Sequence, residues 1–361
     1  MREGVTLHAA IGHFQKEKKM ITIDGSEGEG GGQVLRYACA LSLLTGEPFT
    51  IDNIRGGREK PGLMRQHVTA IEAACVIGNA ECSGLAVGST SISFRPGPVT
   101  PGDYHFAVGT AGSTGLVLQT VLVPLMLGSA PSRLVIEGGT HALAAPPFDF
   151  IERTLLPVIN RMGPTITAKL VRHGFFPRGG GRIEIEIDPA PLRAIECIDR
   201  GTAGPVQVTA IVAGIPFDVA DRELKAAQKV LTDWPAEAFV TRQLPADQGP
   251  GNALLLEASF EHVTELMSAF GKIGVPAERL AKTAARRMAG YLASDAFAGP
   301  YLQDQLLLPL AVARGGAFTT VKISDHTRTA ASLIERFAGT RFRLLERDEG
   351  ANLVEVAVGI G

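Results

Sequence analysis

Three clusters of residues in this 361-residue chain have types and spacings suited to phosphate chemistry. The first is Gly25-Ser-Glu-Gly-Glu29-Gly-Gly-Gly32-Gln33, a turn too rich in glycine to be helical, with a carboxylate at its centre. Ahead of a helix, such a turn exposes backbone N–H groups that can form a nest for anions. Glu29 there reads either as a solvated side chain or as a ligand for a divalent cation beside phosphates. The turn lacks the Gly-Lys-Ser/Thr of a P-loop, and Gln33 stands where a dinucleotide fingerprint needs its third glycine. The second cluster gathers four cations, Arg55, Arg58, Lys60 and Arg65, within eleven residues, followed by Gln66 and His67. Charged loops are often only solvated. Here, glycine beside the cations lets an anion reach the backbone, and guanidinium forks match phosphate oxygens. The third is Ser324-Asp-His326-Thr-Arg328, where a β-rich run (Phe318 to Ile323) gives way to a helical segment (Thr329 to Phe337). Ligand chemistry gathers at such junctions, because unpaired helix N–H groups favour anions. The same pattern also describes a capping turn whose histidine points at solvent. Asp325, Thr327 and Arg328 flank His326 with groups able to orient it.

Three further stretches carry polar groups that need explaining. Asp304 and Gln305 open a helix in Tyr301-Leu-Gln-Asp-Gln305; an acid in the first turn suits the macrodipole, or both side chains face the pocket of His326. Gln119 interrupts the apolar helix Leu116 to Leu127, and a buried amide needs a partner, which a purine edge could supply. His173-Gly-Phe-Phe-Pro177-Arg-Gly-Gly-Gly181 is a glycine-rich turn that implies close backbone approach.

The elements that must hold these residues recur. Strand, glycine turn, helix, strand, polar loop, helix and two short strands describe the chain from Met20 to Phe94, and the order recurs from the turn at Gly109 to the strand near 182–187 and again from Leu302. FTIDNIRGGRE, SRLVIEGGTHA and FTTVKISDHTR keep one rhythm, which predicts a threefold repeat of a β-α-β-α-β-β unit. The repeat puts Arg55 and Arg58, Thr140 and His141, and His326 at equivalent positions, so one pocket is expected to collect all three. A Pro-bounded block of different character, 189–275, reads as an inserted α/β domain, with the helix Ala277 to Ala293 returning the chain to the main body. The expectation is an α+β protein: a large domain of 20–188 and 276–361, and a small one of 189–275. Residues 1–19 read as a loose extension in which His8 and His13 have no role.

The length accommodates two or three domains, and 45% hydrophobic with 20% charged residues describes a globular protein with a sizeable core. A net charge of −2 excludes a basic field over the whole surface, so a nucleic-acid partner would be gripped locally. Cys39, Cys75, Cys82 and Cys197 have no metal-finger spacing and read as reduced thiols of a cytoplasmic protein. No apolar run reaches membrane-spanning length.

In order along the chain, GSEGEGGGQVLR, IRGGREKPGLMRQH, HGFFPRGGGRI, DQGPGN, YLQDQL and the late DHT segment resemble the RNA 3′-terminal phosphate cyclase family, from Met20 to about residue 358. The resemblance implies an ATP-dependent enzyme that turns an RNA 3′-phosphate end into a 2′,3′-cyclic phosphodiester. It implies a fold of three repeated units with a small insert. Carried across by motif, His326 resembles the histidine that becomes adenylylated and Glu29 the metal-linked carboxylate, with Mg²⁺ or Mn²⁺ as the cation. Arg36, Arg55, Arg58 and Gln66 resemble the group around the phosphates and the RNA end. Gln119, Tyr301, Asp304 and Gln305 match positions around the adenylate. Non-catalytic relatives that bind RNA or assemble ribosomal particles lack the nucleophilic histidine. An enolpyruvyl transferase, with a related repeat architecture, has no need of it. The RNA, the oligomeric state and the preferred metal stay open at this level.

Overall fold

The computed structural model describes residues 20–357 apart from 144 and 349. The expected extension, 1–19, lies outside the described residues. The first sheet is built from β1 (Ile21–Asp24), β2 (Phe49–Asp52), β3 (Glu81–Ser83) and β4 (Ile92–Arg95), with helices α1 (Gly32–Thr45) and α2 (Arg65–Ile77) between them. β1 and β2 pair in parallel, and α1 supplies the crossover that a parallel pair requires. β2 then pairs antiparallel with β4, and β4 with β3.

The next stretch contains β5 (Asp103–Ala107), α3 (Thr114–Met126), β6 (Ser132–Gly138), α4 (Phe148–Phe150), a π-helical turn over Ile151–Leu155, α5 (Leu156–Asn160), β7 (Thr165–Arg172) and β8 (Gly181–Asp188). Its sheet order, β5-β6-β8-β7, has the same parallel and antiparallel senses as β1-β2-β4-β3. After β9 (Glu196–Cys197) comes a separate four-stranded sheet. It is made of β10 (Ala203–Ala213), β11 (Phe239–Leu244), β12 (Gly251–Phe260) and β13 (Thr264–Phe270), with helices α6 (Asp218–Gln228) and α7 (Ala277–Leu292). The chain closes with α8 (Gln303–Ala313), β14 (Ala317–Thr320), α9 (Asp325–Ala338), β15 (Arg341–Leu345) and β16 (Asn352–Ala357). β9 pairs parallel with β14, and β16 lies antiparallel between β14 and β15.

These pairings move both expected boundaries of the inserted block. Glu196 and Cys197 lie in register with Ala317 and Phe318, so the chain just after 189 still belongs to the sheet of β14. At the other end α7 does not return to the large body. Its Ala281, Ala284, Ala285, Met288 and Tyr291 are buried in one core with Val208, Leu254 and Met267 of the separate sheet. Three-to-four spacing marks which face of a helix is buried, not which sheet covers it.

The helix expected from Thr329 instead starts at Asp325, because Ser324 caps it, its Oγ accepting the Thr327 N–H at 3.1 Å. Such a cap stabilises a helix by about 1 kcal/mol. His326 therefore sits in the first turn of α9 rather than in the loop before it.

Candidate active site

From Val34 to Leu43, α1 is apolar on nearly every face, and a helix of that kind must be surrounded. α2, α3 and α9 pack around it, so its amino end opens inside the large body. Gln33, Arg36 and Tyr37 emerge there. α9 begins at the same point and is pinned by Gln303 at the buried start of α8. The Gln303 side-chain oxygen accepts the Ser324 N–H at 3.0 Å and the Thr327 hydroxyl at 2.8 Å. Thr329 of α9 accepts the Glu29 N–H at 3.0 Å, which ties the glycine turn to the same helix. Gly28 is required in that turn: its φ is +62°, and a Cβ would stand 2.5 Å from the Thr329 hydroxyl.

His326 Nδ1 lies 2.8 Å from Gln33 Oε1. Gln33 Nε2 lies 3.1 Å from the His326 carbonyl oxygen and 3.0 Å from Asp304 Oδ2. A backbone carbonyl only accepts, so that end of Gln33 is its NH₂ and the oxygen faces the ring. Nδ1 is then the donor, and Nε2 keeps its lone pair. Nε2 is 3.9 Å from Glu29 Oε1, and 49% of the side chain is exposed. The histidine is oriented by Gln33, not by its sequence neighbours as expected: Thr327 is bonded to Gln303 and Ser324, and Arg328 pairs with Glu346.

Arginines line the same cleft as His326. Arg36 is half-buried, and loss of hydration lowers its pKa to about 10 against the opposing pull of Asp304; it makes no hydrogen bond or ion pair among the described residues. Arg58 donates to the Glu29 carbonyl at 3.1 Å and also pairs with the Glu29 carboxylate. Arg55 closes its own loop, donating to the carbonyls of Lys60 at 2.7 Å and Gly62 at 3.0 Å. Gln66 Oε1 accepts the Ser113 N–H at 3.3 Å. His67 accepts the Met64 N–H on Nδ1 at 3.0 Å, so its Nε2 carries the hydrogen. Burial, helped by Arg36 and Arg55, pushes its pKa down to about 3 and keeps the ring neutral.

Glu29, Arg36, Arg55, Arg58, Gln66 and His326 all line one cleft of about 650 Å³. Gln119, Asp304 and Gln305 line a narrow adjoining recess, joined to the cleft through Arg36. Asp304 is half-buried there, and loss of hydration pushes its carboxyl up to about 6 against the pull of His326 and Arg36. Gln305 donates to the Tyr301 carbonyl at 3.0 Å, which leaves its side-chain oxygen buried without a partner. Tyr301 itself lines neither space. Its hydroxyl accepts from Arg287 at 3.4 Å and its ring meets Phe150 edge-on.

The expectation that one pocket would also collect Thr140 and His141 is corrected. His141 is 1% exposed and both ring nitrogens are engaged, by Thr140 Oγ1 and by Asp149 Oδ2, each at 2.9 Å. Equivalent turns in similar units face different neighbours. Gln33 and Gln303 are not marked out by motif in the sequence, where Gln33 stands out only as a misfit to a dinucleotide fingerprint. A lone amide at the start of an otherwise apolar helix was the available signal. Among the described residues no group of three or more His, Cys, Asp or Glu forms a metal cage. A single carboxylate, Glu29, in this cleft fits a cation that takes its other ligands from outside the protein.

The RNA 3′-terminal phosphate cyclase family model matches residues 27–344. A protein of Koribacter versatilis called RNA 3′-terminal phosphate cyclase is 49% identical over 341 residues, covering 94% of this chain and 95% of its own. Proteins of the same name from Ralstonia nicotianae and Ectopseudomonas mendocina are 47% and 45% identical over 342 residues each. They cover 94% and 95% of this chain and 97% and 99% of their own. A histidine with a free Nε2 in an arginine-lined cleft thus sits in a chain matched nearly end to end, and the protein belongs to the RNA 3′-terminal phosphate cyclase family.

Proposed function

We propose that this protein uses ATP to convert the 3′-phosphate end of an RNA into a 2′,3′-cyclic phosphodiester, with His326 carrying AMP between the two. The observation that carries this reading is the hydrogen bond from His326 Nδ1 to Gln33, which leaves Nε2 as a nucleophile facing the cleft. We further read the three like-ordered sheets as three copies of one β-α-β-α-β-β unit, the third interrupted after β9 by the inserted domain. No helix among the described residues is long and apolar enough to cross a membrane. Four free cysteines, two of them buried, fit a reducing cytoplasmic setting.

The residue types follow from the chemistry. A phosphate monoester cyclises poorly, because the 2′-hydroxyl would have to expel a very poor leaving group. Nε2 of His326 forms a bond to the α-phosphorus of ATP as the bond to pyrophosphate breaks. Positive charge develops on the ring, and Gln33 Oε1 stabilises it at Nδ1–H. An oxygen of the RNA 3′-phosphate then takes the AMP, and the electron pair of the N–P bond returns to Nε2. The 2′-oxygen, losing its proton, attacks the 3′-phosphorus and AMP leaves. Each step crowds phosphate oxygens together, and Arg36, Arg58 and the loop held by Arg55 offset that charge. Mg²⁺ or Mn²⁺ at Glu29 would add further neutralisation when bound. In the recess, the amide side chains of Gln119 and Gln305 suit the edge of an adenine.

The test is incubation with ATP labelled on the α-phosphate, then mapping of the labelled residue, with and without a 3′-phosphorylated RNA. Label on His326 that RNA discharges, yielding a cyclic end, is expected. Label elsewhere, or a 3′-phosphate left uncyclised by fully labelled protein, would overturn the reading.

A further inference from the structure

The turn between β7 and β8 holds an aromatic ring that the chemistry above does not use. Its backbone is clamped: the Gly179 N–H donates to the Phe175 carbonyl at 2.7 Å, and Arg178 donates to the Gly249 carbonyl of the inserted domain at 3.2 Å. Phe175 is buried, while Phe176 beside it is 59% exposed and stacks on no ring among the described residues. A large apolar side chain held out on a rigid turn loses much of the burial that usually stabilises it.

Phe176 and Pro177 stand between two hollows. One is the cleft of His326; the other is a groove of about 400 Å³ between this turn and the inserted domain. The far wall of the groove carries Lys272 and two exposed aliphatics, Ile273 and Val275. Glu223 and Asn252 lie at its base, both more than nine-tenths buried. The Asn252 NH₂ donates to Glu223 Oε2 at 2.8 Å, which leaves Glu223 Oε1 and Asn252 Oδ1 without partners.

We infer that this groove holds a nucleobase of the RNA strand just upstream of its 3′ end, with the Phe176 ring as the stacking surface. The inference rests on the proposed function for the direction of the strand. The occupant has to offer a flat apolar face to Phe176 and a negative link beside Lys272. A nucleobase on a phosphate backbone has both, whereas an aliphatic chain has neither the flat face nor the charge. The shared lining makes the groove continuous with the place where the terminal phosphate is handled. Stacking tolerates any base, because each has a π face.

The experiment measures binding of 3′-phosphorylated oligonucleotides to the full chain by fluorescence anisotropy, without ATP. Each of the three nucleotides before the terminal one is made abasic in turn. At one of these positions, base removal is expected to weaken wild-type binding about tenfold. Phe176→Ala weakens binding of intact RNA to a similar degree, and base removal then has no further effect. Phe176→Trp restores the sensitivity, and Ile273→Ser on the opposite wall reduces it. If base removal costs wild type and Phe176→Ala equally at every position, or costs neither, the groove holds something else and the inference falls. If wild type binds no 3′-phosphorylated RNA, the functional reading falls with it. Wild type that cyclises RNA ends yet ignores the upstream bases overturns the groove alone.

Discussion

Gln33 and His326 are 293 positions apart in the chain, yet their side chains meet at 2.8 Å, Gln33 Oε1 against Nδ1. Because the other end of Gln33 faces a backbone carbonyl and Asp304, the contact sets the tautomer as well as the position of the ring. The arrangement resembles the orienting partner of any histidine nucleophile or base, with an amide in place of the more usual carboxylate. A neutral partner stabilises the ring cation without competing with phosphate for the arginines.

Gln33→Leu is therefore expected to slow AMP transfer to the protein about 100-fold or more, since a misplaced or wrongly protonated imidazole loses its lone pair at Nε2. Nitrogen NMR of a histidine-labelled protein reads the cause directly. The wild-type ring should carry its hydrogen on Nδ1, and the variant should not hold that preference. A variant with full labelling activity would count against the assignment.

His326→Ala is expected to abolish AMP labelling altogether. In wild type the linkage should be acid-labile and base-stable, as phosphoramidates are. Among the other histidines, a variant of His141 is expected to lose stability, because its ring bridges Thr140 and Asp149 in a closed core. Any soluble, folded His141 variant should still label. Thermal melts alongside the labelling assay separate the two effects.

Arg58→Ala removes the cation paired with Glu29. Its effect is expected to be about equal across RNA sequences if, as proposed, the guanidinium acts on phosphate rather than on base edges. The released carboxylate should also lower the concentration of divalent cation needed for half-maximal labelling. Glu29→Ala is expected to reduce labelling strongly while leaving the melting temperature close to wild type. Metal titrations of the two variants test both statements.

Glu265 is fully buried, with one carboxylate oxygen accepting the Gly299 N–H at 3.0 Å and the other unpartnered. Burial raises its pKa to about 8. Between the ordinary carboxylate range and that value the folded protein holds a proton that the unfolded chain has released. Stability therefore falls as pH rises through this window, by up to about 1.4 kcal/mol per pH unit. Glu223, raised to about 7 by burial, adds a slope of the same sign over a shorter span. Urea melts from pH 5 to 8 should show the decline, and Glu265→Gln should flatten it. An unchanged slope in that variant would rule Glu265 out as its source.

Much of the site was legible in the chain itself. Glycine around Glu29, guanidiniums beside Gly56 and Gly57, and a histidine at a strand-to-helix junction are local features. Backbone conformation and side-chain type are written residue by residue, so such patterns survive without a fold. Much of the strand and helix order was legible for the same reason, since apolar periodicity reports local geometry, whereas β5, β9, β11 and β13 were not expected.

Partnership was not legible. That Gln33 orients His326, that Gln303 pins the start of α9, that His141 is closed off while His326 is open, and that α7 covers the inserted sheet all depend on which surfaces meet. A helix's own periodicity shows that a face is buried and says nothing about its neighbour. Contacts spanning 293 positions are decided by the packing of α1 against α9, and only the tertiary structure holds that information.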